Sequence, residues 1–170
     1  LLDNDEATLA ATEAALRAEG VKDQKAIAVP ADVSHPQQVD AAVQRSLDHF
    51  GRIDALVNNA GVAVFKPIGE TSFHEWRHVM AVNLDGAFLM TQAVAPVMLE
   101  RGGGAIVNTA SIAGLQAGFG PLAYSAAKCA VIHMSRCAAA ELSPLEPGSS
   151  AVLDLIVFEA ATALSGEAEP

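Results

Sequence analysis

The chain has few basic residues for its length. Its 170 residues include 10 Lys and Arg against 20 Asp and Glu, so the formal net charge is −10. Phosphate backbones and anionic lipid head groups repel a surface of this sign. The charge therefore argues against nucleic-acid and membrane partners and favours a small-molecule partner.

Cysteines and uninterrupted apolar runs are also scarce. The two cysteines, Cys129 and Cys137, lie on one predicted helix, and we expect both to be reduced and to pack as small core residues. No basic-then-apolar leader opens the sequence, and Asp154 and Glu159 interrupt the apolar run over 151–164. We therefore expect neither a signal peptide nor a membrane span, and a cytoplasmic location.

The residues that are present indicate a packed core. Hydrophobic residues make up 51% of the chain, which is enough for one globular domain of this length. Short β-branched runs alternate with amphipathic stretches. Strands are predicted at 1–2, 26–29, 53–57 and 105–109, and helices at about 5–19, 36–50, 72–100 with a break near Asn83, and 123–142. This alternation predicts an α/β fold with a parallel sheet covered by helices on both faces.

Polar residues follow each predicted strand, where an open α/β sheet binds its ligands. They are Asp3, the pair Asp32 and Val33, the segment 58–61 (NNAG), and Ser111. Each has a structural alternative: Asp3 with Glu6 matches a helix capping box, Asp32 can cap a turn, and NNAG is a good turn sequence. Their occurrence after all four strands favours a common binding site.

Tyr124 and Lys128 lie four residues apart in a predicted helix that is otherwise small and apolar. This spacing places both on one helix face, where an ammonium group can stabilise the tyrosine phenolate for proton transfer. Ser111 lies 13 residues before Tyr124 and can point to the same substrate oxygen. A surface Tyr-Lys pair on an ordinary helix is the structural alternative.

Four segments together resemble the short-chain dehydrogenase/reductase family of the compact type, in order and at the family's spacing. They read DALVNNAGV, VNLDGAF, NTASIAG and YSAAK. The resemblance covers about residues 1–145 and implies a doubly wound Rossmann-type core there, with 146–170 as a divergent C-terminal segment. It also implies an NAD(P)-dependent oxidoreductase that interconverts a secondary alcohol and a ketone.

The resemblance implies a role for each matching residue. Tyr124 would be the general acid/base, Ser111 would hold the substrate oxygen, Lys128 would bind the nicotinamide ribose, and Asn83 would support a water-linked proton relay. The cofactor would contact Asp3, Asp32, Val33, Asn59, Ala60, Gly61, Tyr124 and Lys128. By analogy with family oligomers, a homodimer or homotetramer is expected through helices near 85–100 and 123–142.

The carboxylate of Asp3 bears on the choice of cofactor. Asp3 follows the predicted strand at 1–2, which the resemblance matches to the second strand of the family. A carboxylate at the end of that strand binds the adenosine ribose hydroxyls and repels a 2′-phosphate. No Arg stands nearby to receive such a phosphate. We therefore expect NAD rather than NADP.

The sequence also departs from the family pattern. The glycine-rich turn that binds pyrophosphate is not found, nor is the strand before it, and Pro147-Gly148 precedes the apolar run over 151–160 instead of following it. We therefore expect an incomplete sheet, and a catalytically inactive fragment is an alternative reading.

Two further motif matches indicate other functions. HEWRH, residues 74–78, fits the H-E-x-x-H pattern of a zinc hydrolase, with His74 and His78 as ligands, but no third ligand is evident. GFGPLA, residues 118–123, fits a dinucleotide-binding turn but does not directly follow a strand, so we interpret it as a loop before Tyr124.

Overall fold

Strands and helices alternate along the chain in the computed structural model, which describes residues 1–18, 25–142 and 153–159. The strands are β1 (Leu2–Asp3), β2 (Val29–Pro30), β3 (Ala55–Asn58), β4 (Gly104–Ala110) and β5 (Leu153–Glu159). The helices are α1 (Glu6–Ala18), α2 (Pro36–Phe50), α3 (Phe73–Met80), α4 (Gly86–Glu100) and α5 (Leu122–Leu142). The predicted alternation is confirmed, although only the end of the predicted strand 26–29 forms β2. Predictions for 143–150 and for the chain after Glu159 lie outside the described residues.

The strands form two parallel sheets. β1 pairs with β2, and β3, β4 and β5 form a three-stranded sheet in that order. β5 follows β4 over its whole length, from Gly104 opposite Leu153 to Ala110 opposite Glu159. This run was expected to be part of a divergent segment because the Pro-Gly pair precedes it instead of following it, but its β-branched and apolar residues form the strand.

A gap separates the two sheets. A cavity of about 200 Å³ lies there, and it is lined by Leu1 and Leu2 on one side and by Ala55, Leu56 and Val57 on the other. No strand joins β1 to β3 within the described ranges. This agrees with the expected incomplete sheet, since the resemblance places a central strand between these two.

The core lies between the three-stranded sheet and the helices. Its fully buried residues include Val39 of α2, Val94 and Met98 of α4, and Ile106 of β4. On the opposite face of β3, Val57 is 62% exposed, and in the described part of the chain α1 packs on β1 and β2 instead.

The predicted break near Asn83 is a π-helical turn, Ala81–Asp85, between α3 and α4. The Gly86 N–H bonds to the Ala81 carbonyl, five residues back. Asn83 fills the widened turn by donating to the carbonyls of Val79 (2.9 Å) and Val62 (2.7 Å). Such turns occur frequently at functional sites.

The continuous helical segment Phe73–Glu100 is long and apolar enough to cross a membrane, by length and composition alone. Its core-facing side chains, Val79, Val94 and Met98 among them, are buried inside the fold. A core helix passes the same test, so this segment is weak evidence for a span.

The expectation that the two cysteines do not pair is confirmed, but the expectation that they pack in the core is wrong. Cys129 and Cys137 are both free and exposed on α5. The buried face of α5 instead consists of residues such as Ala127, Val131 and Ser135, and the cysteines lie outside that stripe.

Candidate active site

A cavity of about 520 Å³ lies where the carboxyl ends of β1, β2, β3 and β4 converge. This volume is typical of small-molecule and cofactor sites, which are roughly 300–1,000 Å³. Its wall contains the sequence-predicted residues Asp3, Asp32, Val33, Asn59, Ala60, Gly61, Asn83 and Lys128. Ser111 and Tyr124 are not part of this wall. The structure therefore brings most of the predicted cofactor contacts together and places the other two residues beside them.

Lys128 connects the cavity with Tyr124. Its side chain is buried, with 4% of the residue exposed, and Nζ donates to the Thr109 carbonyl at 2.7 Å. Nζ also lies 5.6 Å from the centre of the Tyr124 ring. Burial lowers the pKa of Lys128 from its ordinary value because it removes the ammonium group from water. The predicted shared helix face is thus present, and the lysine faces both the cavity and the phenol.

Ser111 directly follows β4 and caps the start of the 3₁₀ turn Ile112–Gly114. Its residue is 2% exposed, and its hydroxyl oxygen accepts the Ala113 N–H at 3.2 Å. Within the described residues its O–H has no acceptor of its own, so it can donate to a substrate oxygen. Tyr124, in the first turn of α5, is half-buried.

Two glycines that sequence reasoning missed hold the loop between Ser111 and Tyr124 against α5. A Cβ on Gly114 would lie 2.7 Å from the backbone N of Cys129 and the backbone C of Lys128. A Cβ on Gly120 would lie 2.9 Å from the Ala113 Cβ and 3.4 Å from Cδ1 of Tyr124. Both contacts need a residue without a side chain. The interpretation of 118–123 as a loop is confirmed for 118–121, which do not follow a strand, whereas Leu122 and Ala123 already belong to α5.

The space between Asn83 and Lys128 is open only because residue 61 is glycine. A Cβ on Gly61 would lie 2.8 Å from Oδ1 of Asn83 and 3.7 Å from Nζ of Lys128. Oδ1 of Asn83 is buried and has no hydrogen-bond partner in the described part of the chain. A buried polar atom without a partner, beside a space that a Cβ would fill, is what a bound group or water would complete. These residues could therefore hold a bound polar group, and the resemblance assigns this place to the nicotinamide-ribose end of a dinucleotide.

Asp3 is free to face the cavity because a different residue caps α1. The Asp5 carboxylate accepts the N–H groups of Ala7 (3.0 Å) and Thr8 (3.1 Å), and hydrogen bonds from Thr8 lower the pKa of Asp5. The capping-box alternative with Asp3 and Glu6 is therefore wrong. Asp3 lies at the end of β1 in the cavity wall, and its carboxylate accepts only the Asp5 N–H in the described structure.

Asp32 caps a turn, as its structural alternative predicted, and it also lines the cavity. Its carboxylate accepts the Ser34 N–H (2.9 Å) and hydroxyl (2.7 Å). Burial alone would raise the pKa of Asp32, but the hydrogen bonds from Ser34 and the neighbouring His35 lower it. Asp32 therefore shapes the turn before α2, which sets Val33 beside the cavity. A Cβ on Gly86 would lie 2.6 Å from Cγ2 of Val33, so this glycine permits the contact.

The HEWRH segment has a structural use for its glutamate. Ser72 and Glu75 form a complete capping box at the start of α3. A hydrogen bond from Lys66 and those from Ser72 lower the pKa of Glu75 to about 2. The described ranges hold no group of three His, Cys, Asp or Glu side chains that could bind a metal ion. The motif is therefore accounted for by the helix start, although His78 lines the 520 Å³ cavity.

A network of buried and half-buried polar side chains behind the site was not predicted. Asn58 donates to Oδ1 of Asn108 at 2.8 Å, and Asn108 donates to the Ser135 hydroxyl at 2.9 Å. This network joins β3, β4 and α5. It therefore fixes the strand that precedes Ser111 against the helix that carries Tyr124 and Lys128. The signal in the sequence is weak, since a lone Asn inside an apolar strand has many possible roles.

Comparisons with known proteins agree with this geometry. The sequence profile described as short chain dehydrogenase matches residues 1–146. The chain is 41% identical to a 3-oxoacyl-[acyl-carrier-protein] reductase of Synechocystis over 119 residues, which are 70% of this chain and 48% of that protein. It is 49% identical to a D-threitol dehydrogenase of Mycolicibacterium smegmatis over 110 residues, 65% of this chain and 42% of that protein. The chain thus spans about half the length of these curated relatives.

Solved structures show the same fold. A short chain dehydrogenase/reductase from Burkholderia phymatum in complex with NAD superposes with a TM-score of 0.83 at 34% identity, covering 94% of this chain and 55% of that one. Levodione reductase superposes with a TM-score of 0.78 at 37% identity, covering 83% of this chain and 55% of that one. The Rossmann-type fold is confirmed.

Proposed function

The chain belongs to the short-chain dehydrogenase family, and on that premise we propose that it carries the reaction centre of an NAD-dependent oxidoreductase for a secondary alcohol and its ketone. One observation carries this proposal. Lys128 lines the 520 Å³ cavity while its Nζ lies 5.6 Å from the Tyr124 ring, so a single cation joins the cofactor cavity to a proton-transfer group.

Proton transfer is the work of Tyr124 in this proposal. In the oxidation direction its phenolate oxygen accepts the hydroxyl proton of the alcohol. Ser111 meanwhile donates a hydrogen bond to the alcohol oxygen. A bound nicotinamide would supply the hydride acceptor for the carbinol carbon. The ammonium of Lys128 stabilises the phenolate before the step, and the proton leaves Tyr124 again toward the space between Lys128 and Asn83.

The cofactor-binding residues divide along the cavity. Asp3 would bind the adenosine ribose hydroxyls, with Asp32 and Val33 at the adenine, and Asn59, Ala60 and Gly61 would line the ribose side. The negative charge of Asp3 supports NAD over NADP, because a 2′-phosphate there would meet a carboxylate that no described cation neutralises. A measured preference for NADP would contradict this assignment.

We also propose self-association through α4 and α5. Phe88 (49% exposed) and Leu99 (37% exposed) leave apolar surface on α4, and the two exposed cysteines add to it on α5. Burying this surface against a second copy would remove it from water. Light scattering at micromolar concentration should give at least a dimer, and a strict monomer would contradict the proposal.

Turnover by Tyr124→Phe tests the proposed chemistry. The variant should lose about 10²-fold or more of NAD-dependent alcohol oxidation, because the phenol is the proton acceptor. Thr12→Val is a matched control, since it also removes one hydroxyl, from the exposed side of α1. Wild-type rates in Tyr124→Phe would contradict the role of the phenol, and cofactor binding without any wild-type turnover would favour a non-catalytic member of the family.

A further inference from the structure

The segment between Ser111 and Tyr124 exposes large apolar side chains beside the reaction centre. Leu115, Phe119 and Leu122 are 59%, 49% and 47% exposed. Gly120, next to Phe119, lies beside the Tyr124 ring, since a Cβ there would be 3.4 Å from Cδ1 of Tyr124, and Leu122 is two residues before that tyrosine. Exposed apolar groups gathered next to a polar site typically mark a binding surface.

The two segments that border this apolar surface contain no charged residue. Residues 111–127 contain no Asp, Glu, Lys or Arg, and neither do residues 56–65 on the neighbouring strand end. The first charged residue beyond the second segment, Lys66, forms an ion pair with Glu75. Lys128 is buried, donates to Thr109, and in the proposed function directs its remaining donors to the nicotinamide ribose and to Tyr124. Neither segment therefore offers a cation that is free to bind an anionic group of a substrate.

The C-terminal part of the sequence also has few cations and several acidic residues. No Lys or Arg follows Arg136, whereas residues 137–170 contain six Asp and Glu. A substrate that carries a carboxylate, sulfonate or phosphate would lose hydration at an apolar surface without gaining a partner. Its negative charge would also be repelled by the chain as a whole.

We infer that the Ser111–Tyr124 site takes a neutral secondary alcohol or ketone with an apolar substituent, and not an anionic acyl thioester or keto acid. This inference rests on the proposed function, since it names the substrate class of that site. The alcohol oxygen would lie at Ser111 and Tyr124, and the apolar substituent would lie against Leu115, Phe119 and Leu122.

A pair of probes that differ mainly in charge tests the inference by binding, without turnover. para-Methylacetophenone and para-acetylbenzoate share the aryl ketone, and only the second is anionic. Ligand-observed NMR titration of the full chain should give a Kd for the neutral ketone at least about tenfold lower, and raising the salt concentration should narrow the difference.

Phe119→Arg should reverse the preference, because it places a free cation beside the ketone site. Phe50→Arg is the matched control: it makes the same change at a residue of similar exposure, 42%, at the end of α2, and it should leave both affinities unchanged. Equal or tighter binding of the anion by the wild type, binding of neither probe, or an unchanged preference in Phe119→Arg would overturn the inference.

These outcomes are separable from the proposed function. If the neutral ketone is preferred but nicotinamide cofactors do not bind, the oxidoreductase proposal fails and the substrate-site inference stands. If cofactor binding and turnover are present but the anionic ketone is preferred, the substrate class is wrong and the reaction stands.

Discussion

Lys128 is a buried cation, with 4% of the residue exposed, and the described structure gives its three donor hydrogens only one acceptor, the Thr109 carbonyl. A charge in such a place costs stability unless it is paired. Groups of this kind cluster at functional sites. A role in binding and proton transfer, at its position between the cavity and Tyr124, accounts for this costly buried cation.

The pH dependence of stability should report this burial. Because the pKa of Lys128 in the folded state is below its ordinary value of 10.5, the unfolded chain binds the proton more tightly. The free energy of unfolding therefore rises with pH between the lowered pKa and 10.5, and the penalty is constant below that interval. Lys128→Met removes the titrating group and should lose this rise.

Urea denaturation at several alkaline pH values checks this prediction. The stability of the wild type relative to Lys128→Met should increase with pH up to about 10.5. Lys25→Met, which removes an exposed lysine, should run parallel to the wild type. A pH-independent difference between wild type and Lys128→Met would mean that the ammonium group is well solvated in the folded state.

At the scale of elements, the loop between β4 and α5 sets the distance between Ser111 and Tyr124. Gly114 lets the 3₁₀ turn touch the backbone of α5 at Lys128 and Cys129. Gly120 lets the end of the loop touch the Tyr124 ring. The atoms that face Gly114 are backbone atoms, which cannot give way as a flexible side chain can, so the spacing of the reactive groups depends most on Gly114.

Gly114→Ala should therefore destabilise the fold and separate the reactive groups. The new methyl group would overlap backbone atoms 2.7 Å away, and overpacking of this kind typically costs about 1–3 kcal/mol. Gly69→Ala is the control, because no atom lies within 4 Å of its Cβ position. Chemical denaturation should show a loss for Gly114→Ala alone, and equal stability of both variants would contradict the close packing.

Local patterns predicted the elements and most of the cavity wall, but not the contacts between elements. The break near Asn83 and the shared face of Tyr124 and Lys128 follow from spacing along one helix, and both are present. The close approach of Gly114 to α5 depends on residues from two elements. A sequence pattern within one element cannot predict such a contact. β5 was missed for a different reason, since a family motif in the wrong order outweighed the apolar run itself.

At the scale of the whole molecule, the two sheets differ in size and support. β1 and β2 pair over two residues each, whereas β4 is paired along its whole length with β5 and along part of it with β3. In the described ranges, the small sheet packs on a cluster whose buried residues are Val29, Ala31 and Ala42, and the large sheet packs on the main core. The 200 Å³ cavity between β1 and β3 leaves facing strand edges without a partner in the described structure.

Hydrogen exchange should resolve these two parts. The amides of Val29 and Ala31, which bond to the carbonyls of Leu1 and Asp3, should exchange at least about tenfold faster than those of Leu56 and Ile106. The reason is that a small sheet with few apolar contacts opens locally at lower cost. Equal protection in both sheets would show one cooperative unit and contradict the division.

The central claim is that Lys128 belongs to a nicotinamide cofactor site and Tyr124 to the chemistry beside it. Fluorescence titration of NADH with the full chain, Tyr124→Phe and Lys128→Ala tests it most directly. We predict saturable binding by the wild type, a Kd within about twofold of this value for Tyr124→Phe, and a Kd at least about tenfold higher for Lys128→Ala. The absence of saturable binding by the wild type, or wild-type affinity in Lys128→Ala, would contradict the account.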